Sequence, residues 1–436
     1  MKTTIYLLLT VVTFASVAVA QDKKDKIEIG VQATTLTLFS PDFPGDVTSA
    51  GVGGRVTYNF NRSIAAEAEV NFFPQRQFVL SSNGGAIQAQ FGVKLGKRFE
   101  KFGVFAKVRP GFISADDVFA VTPDTVTVVN GIPTFNFKVE RTNFFTIDAG
   151  GVLEFYPSRR TVVRFEAGDT LIHHPDRFEV VFSSGLPVVQ LARPAKFKHN
   201  FQFTAGVGFR LGDFPAESDS NTAVDTQERT RRFEVGAQYT SLSVESPSPV
   251  PQTPVIFDDL IHTEPGLGGR FTFNLTDNIA LEAEGNFFTR DLTGGFPTGL
   301  PNPSGHMFQG QFGAKVGKRF SKWGVFGKAR PGFVGFTKVN ELVGTHVVNV
   351  QVGNQVIPVT VGEFRVAKQF YPSIDVGGVA EFYISPRWMA RFDIGDTVIR
   401  YGEVAAQGFS LMNQIVRRPP ETHHNLQVTS GIGFRF

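Results

Sequence analysis

Apolar and polar residues alternate with a period of two along most of the chain, which is the pattern of β-strands and not of helices. In the first half the alternation predicts eight strands, at positions 27–34, 52–60, 66–73, 87–99, 104–112, 145–156, 163–172 and 201–211. Their connections alternate in length: short ones at 61–63, 100–102 and 157–159, and long ones at 40–48, 76–84, 116–142 and 173–198. Short turns at one end and long loops at the other are typical of an up-and-down antiparallel β-barrel.

The chain contains this unit twice. The segment FGVKLGKRF at 91–99 returns as FGAKVGKRF at 312–320, and GVFAKVRPGF at 103–112 returns as GVFGKARPGF at 324–333. The repeat predicts two barrel domains, residues 21–212 and 232–436, joined by a polar linker at 213–231. Residues 1–20 combine Lys2, an apolar run and the small-residue site Ala18-Val19-Ala20, so they predict a cleaved signal peptide and export.

Composition narrows the function classes. Of 436 residues, 42% are hydrophobic and 19% are charged, with a net charge of +3 and no cysteine. The absence of cysteine excludes disulfides, thiolate metal sites and a cysteine nucleophile. A near-neutral balance argues against a nucleic-acid partner, which needs a concentrated basic face. No segment after the signal peptide has 18 consecutive apolar residues, so membrane-spanning helices are not expected.

Within each half the two faces of the predicted strands differ sharply. One face carries apolar side chains without charge, and the other carries six acidic and seven basic side chains, of which five of each form a candidate interior network. In the first half the network consists of Arg55, Glu67, Glu69, Lys94, Lys107, Arg109, Asp148, Glu154, Arg164 and Glu166. In the second half it consists of Arg270, Glu282, Glu284, Lys315, Lys328, Arg330, Asp375, Glu381, Arg391 and Asp393. A soluble barrel has the opposite arrangement, so the surrounding medium must be hydrocarbon and each sheet must close.

The sequence thus predicts an all-β, transmembrane, antiparallel up-and-down β-barrel. The last segment, 426–436, alternates apolar residues and carries Phe434 and Phe436 as a candidate assembly signal. Together with the strand pattern, it resembles the outer-membrane β-barrel superfamily of OmpA-like and OmpX-like eight-stranded barrels. The resemblance implies the cell outer membrane of a Gram-negative-type envelope, with outer-membrane lipid and the barrel-assembly machinery as partners.

Sixteen strands can close as two eight-stranded barrels or as one sixteen-stranded barrel. Charge balance within each half, inward glycines and the long linker favour two barrels with lumens filled by side chains. The function expected from two filled barrels is non-enzymatic, with surface loops that serve envelope integrity, adhesion or binding. The alternative is a general diffusion porin that passes small hydrophilic solutes through one wide lumen.

Three local features carry further predictions. Arg109-Pro110-Gly111 and its repeat at 330–332 predict a bulge at the outer rim, because proline removes a ladder hydrogen bond. Two candidate rim clusters, with adjacent Thr and Asn residues, contain Asp169 with His199 and Asp396 with His424. We interpret them as ties between neighbouring strands; the less favoured alternative is the site of a surface hydrolase. Alternation around residues 130–131 and 353–354 predicts hairpins that extend the wall and offer strand edges to an extracellular partner. No motif for a metal or a cofactor is recognised, and none is predicted.

Overall fold

The computed structural model describes residues 26–39, 46–74, 85–129, 132–183, 186–212, 231–250, 256–288, 305–352, 355–407 and 415–436. Within these ranges every helix-or-strand element is a β-strand. The predicted signal peptide, residues 213–230 of the predicted linker and the two hairpin turns at 130–131 and 353–354 lie outside the described residues.

Eight antiparallel strands close the first barrel, each paired with the next and the last with the first. They are β1 (Ile27–Phe39), β2 (Asp46–Asn59), β3 (Ile64–Phe73), β4 (Ala86–Arg98), β5 (Phe102–Val129), β6 (Ile132–Phe155), β7 (Thr161–His174) and β11 (Phe201–Leu211). Three short strands, β8 (Arg177–Ser183), β9 (Leu186–Arg193) and β10 (Lys196–Lys198), lie in the connection between β7 and β11. The ring closes where β11 pairs with β1, with Phe209 opposite Ile29 and Phe203 opposite Thr35.

The second barrel repeats the ring. Its strands are β12 (Phe233–Val250), β13 (Ile256–Asn274), β14 (Ile279–Phe288), β15 (Met307–Arg319), β16 (Trp323–Val352), β17 (Gln355–Tyr383), β18 (Trp388–Arg400) and β21 (Thr422–Arg435), with short β19 (Val404–Gln407) and β20 (Ile415–Arg418) before the last. Here β21 closes on β12, with Phe434 opposite Val235. A sixteen-stranded ring needs β11 paired with β12 and β21 with β1. Because both closing strands return to the first strand of their own half, the prediction of two barrels is confirmed and the wide-ring alternative is wrong.

The third long connection of each barrel is a paired extension of the wall. The predicted extension of the wall around residues 130–131 is confirmed in the described strands, because β5 and β6 stay paired as far as Val129 and Ile132. In the second barrel β16 and β17 stay paired as far as Val352 and Gln355. Register shifts occur on the way, between Ala115 and Val118 and between Leu342 and Gly344. Each hairpin therefore projects from the long-loop end as a continuation of two barrel strands.

Pro110 lies within a regular strand, so the expectation of a bulge at the outer rim is wrong. The ladder between β5 and β6 continues in register on both sides of Pro110. Towards β4, the pairs Gln90–Gly111 and Val93–Val108 keep one register, and proline costs only the ladder bonds between them. A Cβ on Gly92 would lie 2.1 Å from the Val108 carbonyl oxygen, so the close approach of the two strands at this point requires glycine.

Candidate functional site

The charged side chains of the first barrel form one connected ion-pair network in its interior. Arg164 donates to both carboxylate oxygens of Glu67, at 2.7 Å from Nη2 to Oε2. Arg109 donates from Nε and Nη2 to Asp148 Oδ2 at 2.9 and 2.6 Å. Lys107 Nζ lies 2.8 Å from Asp148 Oδ2 and 2.7 Å from Glu166 Oε2, which joins the two clusters.

The second barrel repeats this network at equivalent positions. Arg391 donates to both oxygens of Glu282, and Arg330 Nη2 donates to Asp375 Oδ2 at 2.6 Å. The contacts of one carboxylate differ between the barrels, because Asp393 is one methylene shorter than its equivalent Glu166. Arg55 Nη1 lies 3.6 Å from Glu166 Oε1 and Arg109 Nη2 lies 2.9 Å from Glu166 Oε2, whereas Arg330 Nη2 lies 3.7 Å from Asp393 Oδ2. The bonds of Arg55 to Gln32 and of Arg270 to Gln238 have the same length of 3.1 Å.

All twenty predicted network residues lie inside the barrels with at most 5% of their surface exposed. Glu28 and Glu234, at 0% and 1% exposed, are buried with them and pair with Arg55 and Arg435 at 3.1 Å. Burying an unpaired charge is expensive, so pairing among these side chains is what allows so many of them inside the barrels. The inward glycines of the neighbouring strands leave room for these long side chains in an eight-stranded ring.

A layer of amide and hydroxyl side chains lies next to the charges, towards the long-loop end. In the first barrel Gln32 donates to Asn71 at 2.9 Å, Asn71 donates to Gln88 at 2.8 Å, and Gln88 donates to Gln202 at 2.9 Å. The second barrel repeats the layer; Gln309, for example, donates to Gln427 at 2.9 Å. These chains of hydrogen bonds cross the lumen from wall to wall, so polar atoms fill the space in which a channel needs mobile water.

An apolar plug closes the interior beyond the amide layer, and sequence reasoning missed it. The plug of the first barrel consists of Leu36, Leu38, Phe73, Ala86, Ile113, Ala115, Phe144 and Ile172. The plug of the second consists of Leu242, Val244, Phe288, Met307, Val334, Tyr371, Ile399 and Tyr401. These positions continue the inward face, so the signal was present in the sequence. The plug is missed because some predicted strands are too short; β1, for example, is predicted to end at Thr34 and extends to Phe39.

His174 lies on the inward face at the mouth of the first barrel, beside the plug residue Phe144. Burial, together with repulsion from Lys198, His173 and Lys196, lowers the pKa of His174 to about 4. His174 is therefore neutral at physiological pH, as a group packed against an apolar cluster must be.

The predicted rim clusters divide between the two faces of the wall. Asp169 Oδ2 lies 2.5 Å from His199 Nδ1, and Asp396 pairs with His424 at the same distance, all four on the outward face. The adjacent Thr170 points inward and donates to Gln202 at 2.8 Å. Asn200 joins the pair, because its backbone N–H donates to Asp169 Oδ1 and its side-chain amide donates to the Thr170 carbonyl oxygen, both at 2.9 Å. The cluster thus ties the two strands as expected, and only the Thr170 hydroxyl points to the opposite face. The expectation of an outward face without charge is wrong at Asp169 and Asp396.

The remaining outward face is apolar. Exposed side chains there include Val31 at 69%, Phe91 at 68%, Leu267 at 61% and Phe312 at 59%. At the short-turn end the last residues of the chain join an aromatic group: Phe436 stacks on Phe233, and Phe434 packs edge-on against Trp388. Contiguous apolar surface of this extent is incompatible with an aqueous surrounding.

Comparisons with known proteins give structural likenesses only. No family model matches the chain, and no curated protein sequence matches it. Neisserial surface protein A aligns over 44% of this chain and its own full length, with 8% identity and a TM-score of 0.29. The attachment invasion locus protein Ail of Yersinia pestis aligns over 43% of this chain and its own full length, with 12% identity and a TM-score of 0.25. The siderophore receptor PirA of Acinetobacter baumannii covers 95% of this chain and 81% of its own, with 9% identity and a TM-score of 0.32. At such TM-scores the fold assignment rests on the strand register.

Over the ranges that the structure describes, no helix is long and apolar enough to cross a membrane. In the same ranges no group of three or more His, Cys, Asp or Glu side chains is arranged to hold a metal ion.

Proposed function

We propose that this protein is an integral outer-membrane protein, in which two sealed barrels anchor and position projecting hairpins that bind a protein partner outside the cell. The proposal rests on the combination of an apolar outward wall with an interior that is closed by the charge network, the amide layer and the plug. A wall with this polarity is stable only in hydrocarbon, and a filled lumen leaves the exposed hairpins as the surface available for interaction. The role is non-enzymatic.

The hairpin of β16 and β17 supports partner binding. Its residues 337–352 span roughly 50 Å when fully extended at ~3.3 Å per residue. Val343, Val347 and Val356 on it are 52%, 65% and 63% exposed. Beyond Thr337, whose N–H donates to the His306 carbonyl oxygen, the strand ladder of β16 among the described residues is with β17 alone. An extended segment of another protein can add to the edge of such a hairpin by backbone hydrogen bonds, with the valines contributing apolar contact.

The Asp–His pairs support the assignment of a non-enzymatic role. A hydrolase of the serine type needs a hydroxyl nucleophile within hydrogen-bond reach of the histidine. Thr170, the hydroxyl next to Asp169 in the chain, instead lies inside the barrel in the amide layer. We interpret each Asp–His pair as a tie between neighbouring strands, from β7 to the residues before β11 and from β18 to β21.

Electrical recording tests the sealed interior. The full-length protein is reconstituted into planar bilayers and recorded at symmetric high salt. The expected result is an absence of steady conductance steps, because each lumen is filled. Large, steady, weakly selective steps would refute the proposal and favour transport.

Surface labelling tests the exposure of the hairpin, and the chain offers a clean background since it has no cysteine. Val347→Cys is expected to react with a membrane-impermeant maleimide on intact cells. Ser385→Cys, in the short turn between β17 and β18, is the matched control and is expected to react only after the cells are permeabilised. Equal labelling of the two positions in intact cells contradicts the proposed orientation.

A further inference from the structure

The two barrels touch each other through equivalent parts of their walls. The repeat aligns β2 with β13 and β7 with β18, so that Thr48 is equivalent to Thr263 and Phe165 to Phe392. Thr48 of the first barrel pairs with Thr263 of the second, and Phe165 stacks on Phe392 with ring centroids 5.7 Å apart and an interplanar angle of 2°. A contact in which each element meets its own equivalent is isologous, the arrangement of a two-fold dimer.

We call this contact the seam; it joins the outward faces of β1, β2, β7 and β11 to those of β12, β13, β18 and β21. Hydroxyl groups lie at one end of the seam. Thr37 and Thr48 hydrogen bond at 2.8 Å, and the equivalent Ser243 and Thr263 hydrogen bond at 2.9 Å. Thr48 and Thr263 have no exposed surface although both point out of their own barrels. Both hydroxyl pairs form within their own barrel, and the neighbouring barrel covers them, so these outward hydroxyls lie against protein and not against hydrocarbon.

The seam also differs in composition from the rest of the outward wall. Between the ring contacts of Phe165 with Phe392 and of Phe203 with Tyr239, other outward positions in it are small or hydroxylated: Ala33, Thr35, Ala205, Ser241, Ala390 and Ser430. On the opposite wall the outward positions are large, such as Phe91 on β4 and Phe312 on β15. Small and hydroxyl residues allow close approach of membrane-embedded surfaces and hydrogen bonds between them, whereas large apolar residues suit contact with lipid.

One aromatic contact breaks the symmetry. The Tyr239 ring stacks on Phe203 with centroids 4.0 Å apart, and its hydroxyl hydrogen bonds Thr35 at 2.7 Å. The equivalents of Tyr239 and Phe203 are Ala33 and Val428, which have no rings to stack. Both Ala33 and Val428 line a small, partly open apolar pocket between the barrels. This contact needs Tyr239 of the second barrel and Phe203 of the first. A first and a second barrel therefore fit together better than two copies of the first barrel.

We propose that the seam docks the two barrels of one chain side by side in the bilayer as an internal dimer. The partner that each seam face recognises is the other barrel, in preference to lipid or to a second chain. This inference goes beyond the proposed function, because it concerns how the barrels are held and not what the hairpins bind.

Disulfide trapping in the full-length chain tests the inference. Thr48→Cys and Thr263→Cys are introduced together, and a specific protease site is inserted within 213–230. Paired residues of an antiparallel ladder have Cα atoms about 4.5–5.5 Å apart, which is within the range of a disulfide. After membrane insertion, mild oxidation and cleavage, the two halves are expected to stay joined on a non-reducing denaturing gel and to separate on reduction.

The matched control is Phe91→Cys with Phe312→Cys, equivalent residues on the opposite walls. We expect about tenfold less joined product from it, since Cα atoms more than about 7 Å apart cannot be bridged. Halves of the Thr48/Thr263 variant that separate without reduction overturn the proposal. Crosslinks that join two separate chains also overturn the proposal; in uncleaved protein they would appear as a band of twice the mass of the chain.

A second variant covers failure of the first to fold. Phe165→Cys with Phe392→Cys, treated with a short bis-maleimide, is expected to give the same joined product after cleavage. Folding of every variant is checked by heat-modifiable gel mobility, so a folded protein that does not crosslink counts against the seam. Silent bilayer recordings remain expected in either case, which separates failure of the seam from failure of the proposed function.

Discussion

Replacing Glu282 by Gln tests whether the interior network stabilises the fold as one balanced unit. Glu282 is fully buried in the second barrel and accepts hydrogen bonds from two nitrogens of Arg391. Lys315 Nζ lies 3.3 Å and Arg330 Nη1 3.6 Å from its carboxylate. The substitution keeps the volume and removes one negative charge, leaving five basic and four acidic network residues in this barrel.

The expected cost is about 3–5 kcal/mol of unfolding free energy, the range for removing one partner of a buried ion pair. With a slope of about 2 kcal/mol per molar urea, this lowers the unfolding midpoint by about 1.5–2.5 M. Adding Lys315→Gln restores charge balance, because one positive charge leaves with the negative one. We expect the double variant to be more stable than the sum of the single effects predicts by about 1–3 kcal/mol.

The two tryptophans of the chain, Trp323 and Trp388, both lie in the second barrel, so tryptophan fluorescence reports the unfolding of that barrel in detergent. Glu67→Gln makes the equivalent change in the first barrel and is the matched control. Its destabilisation is expected in heat-modifiable gel mobility and not in the tryptophan signal. A fluorescence midpoint for Glu282→Gln within about 0.5 M of the parent, or strictly additive effects of Glu282→Gln and Lys315→Gln, would refute the argument from charge balance.

Three further outcomes are expected. Phe288→Ala, in the plug, should cost about 3–5 kcal/mol by the same fluorescence assay, whereas Phe312→Ala on the lipid-facing wall should cost much less; equal costs would argue against the plug. Asp393→Glu should raise stability by about 1 kcal/mol by supplying Arg270 with the contact that Glu166 gives Arg55, and an unchanged midpoint would count against this. His174 has a folded pKa of about 4, below the ordinary value of 6.5, so the unfolded chain binds a proton that the folded chain excludes, and stability falls as pH drops from 6.5 to 4. His174→Asn should flatten this part of the pH profile, measured by gel mobility, and a profile that stays unchanged would contradict the assignment.

The sequence predicted the parts of the fold that follow from strict alternation. Glu67, Glu69, Arg164 and Glu166 recur at every second position, and a shift of one residue would expose all of them to hydrocarbon, so their inward placement is determined locally. The repeat and the charge balance within each half were enough to favour two rings over one.

Other features were not readable from one strand alone. The plug depends on where strands end, and Leu36 or Ile113 looks like any apolar residue near a loop until its neighbours across the ring are known. Pro110 keeps its strand regular because the ladder to β6 is intact and Gly92 allows close approach, and both facts belong to partner strands. The seam had a detectable signal, the hydroxyls at outward positions Thr35, Thr48 and Thr263, but its meaning depends on the second barrel lying against them.

The near-identity of the two interiors has a consequence for assembly. β1 and β12 present the same inward residues to a closing strand, with Glu28, Gln32 and Thr34 matched by Glu234, Gln238 and Thr240. A growing sheet whose last strand is β11 therefore faces two compatible edges, β1 across the ring and β12 next along the chain. Closing on β1 ends one barrel, and pairing with β12 extends the sheet towards a wider ring. The length of chain between Leu211 and Phe233, unlike a three-residue turn, does not by itself hold β12 beside β11, which favours closure on β1.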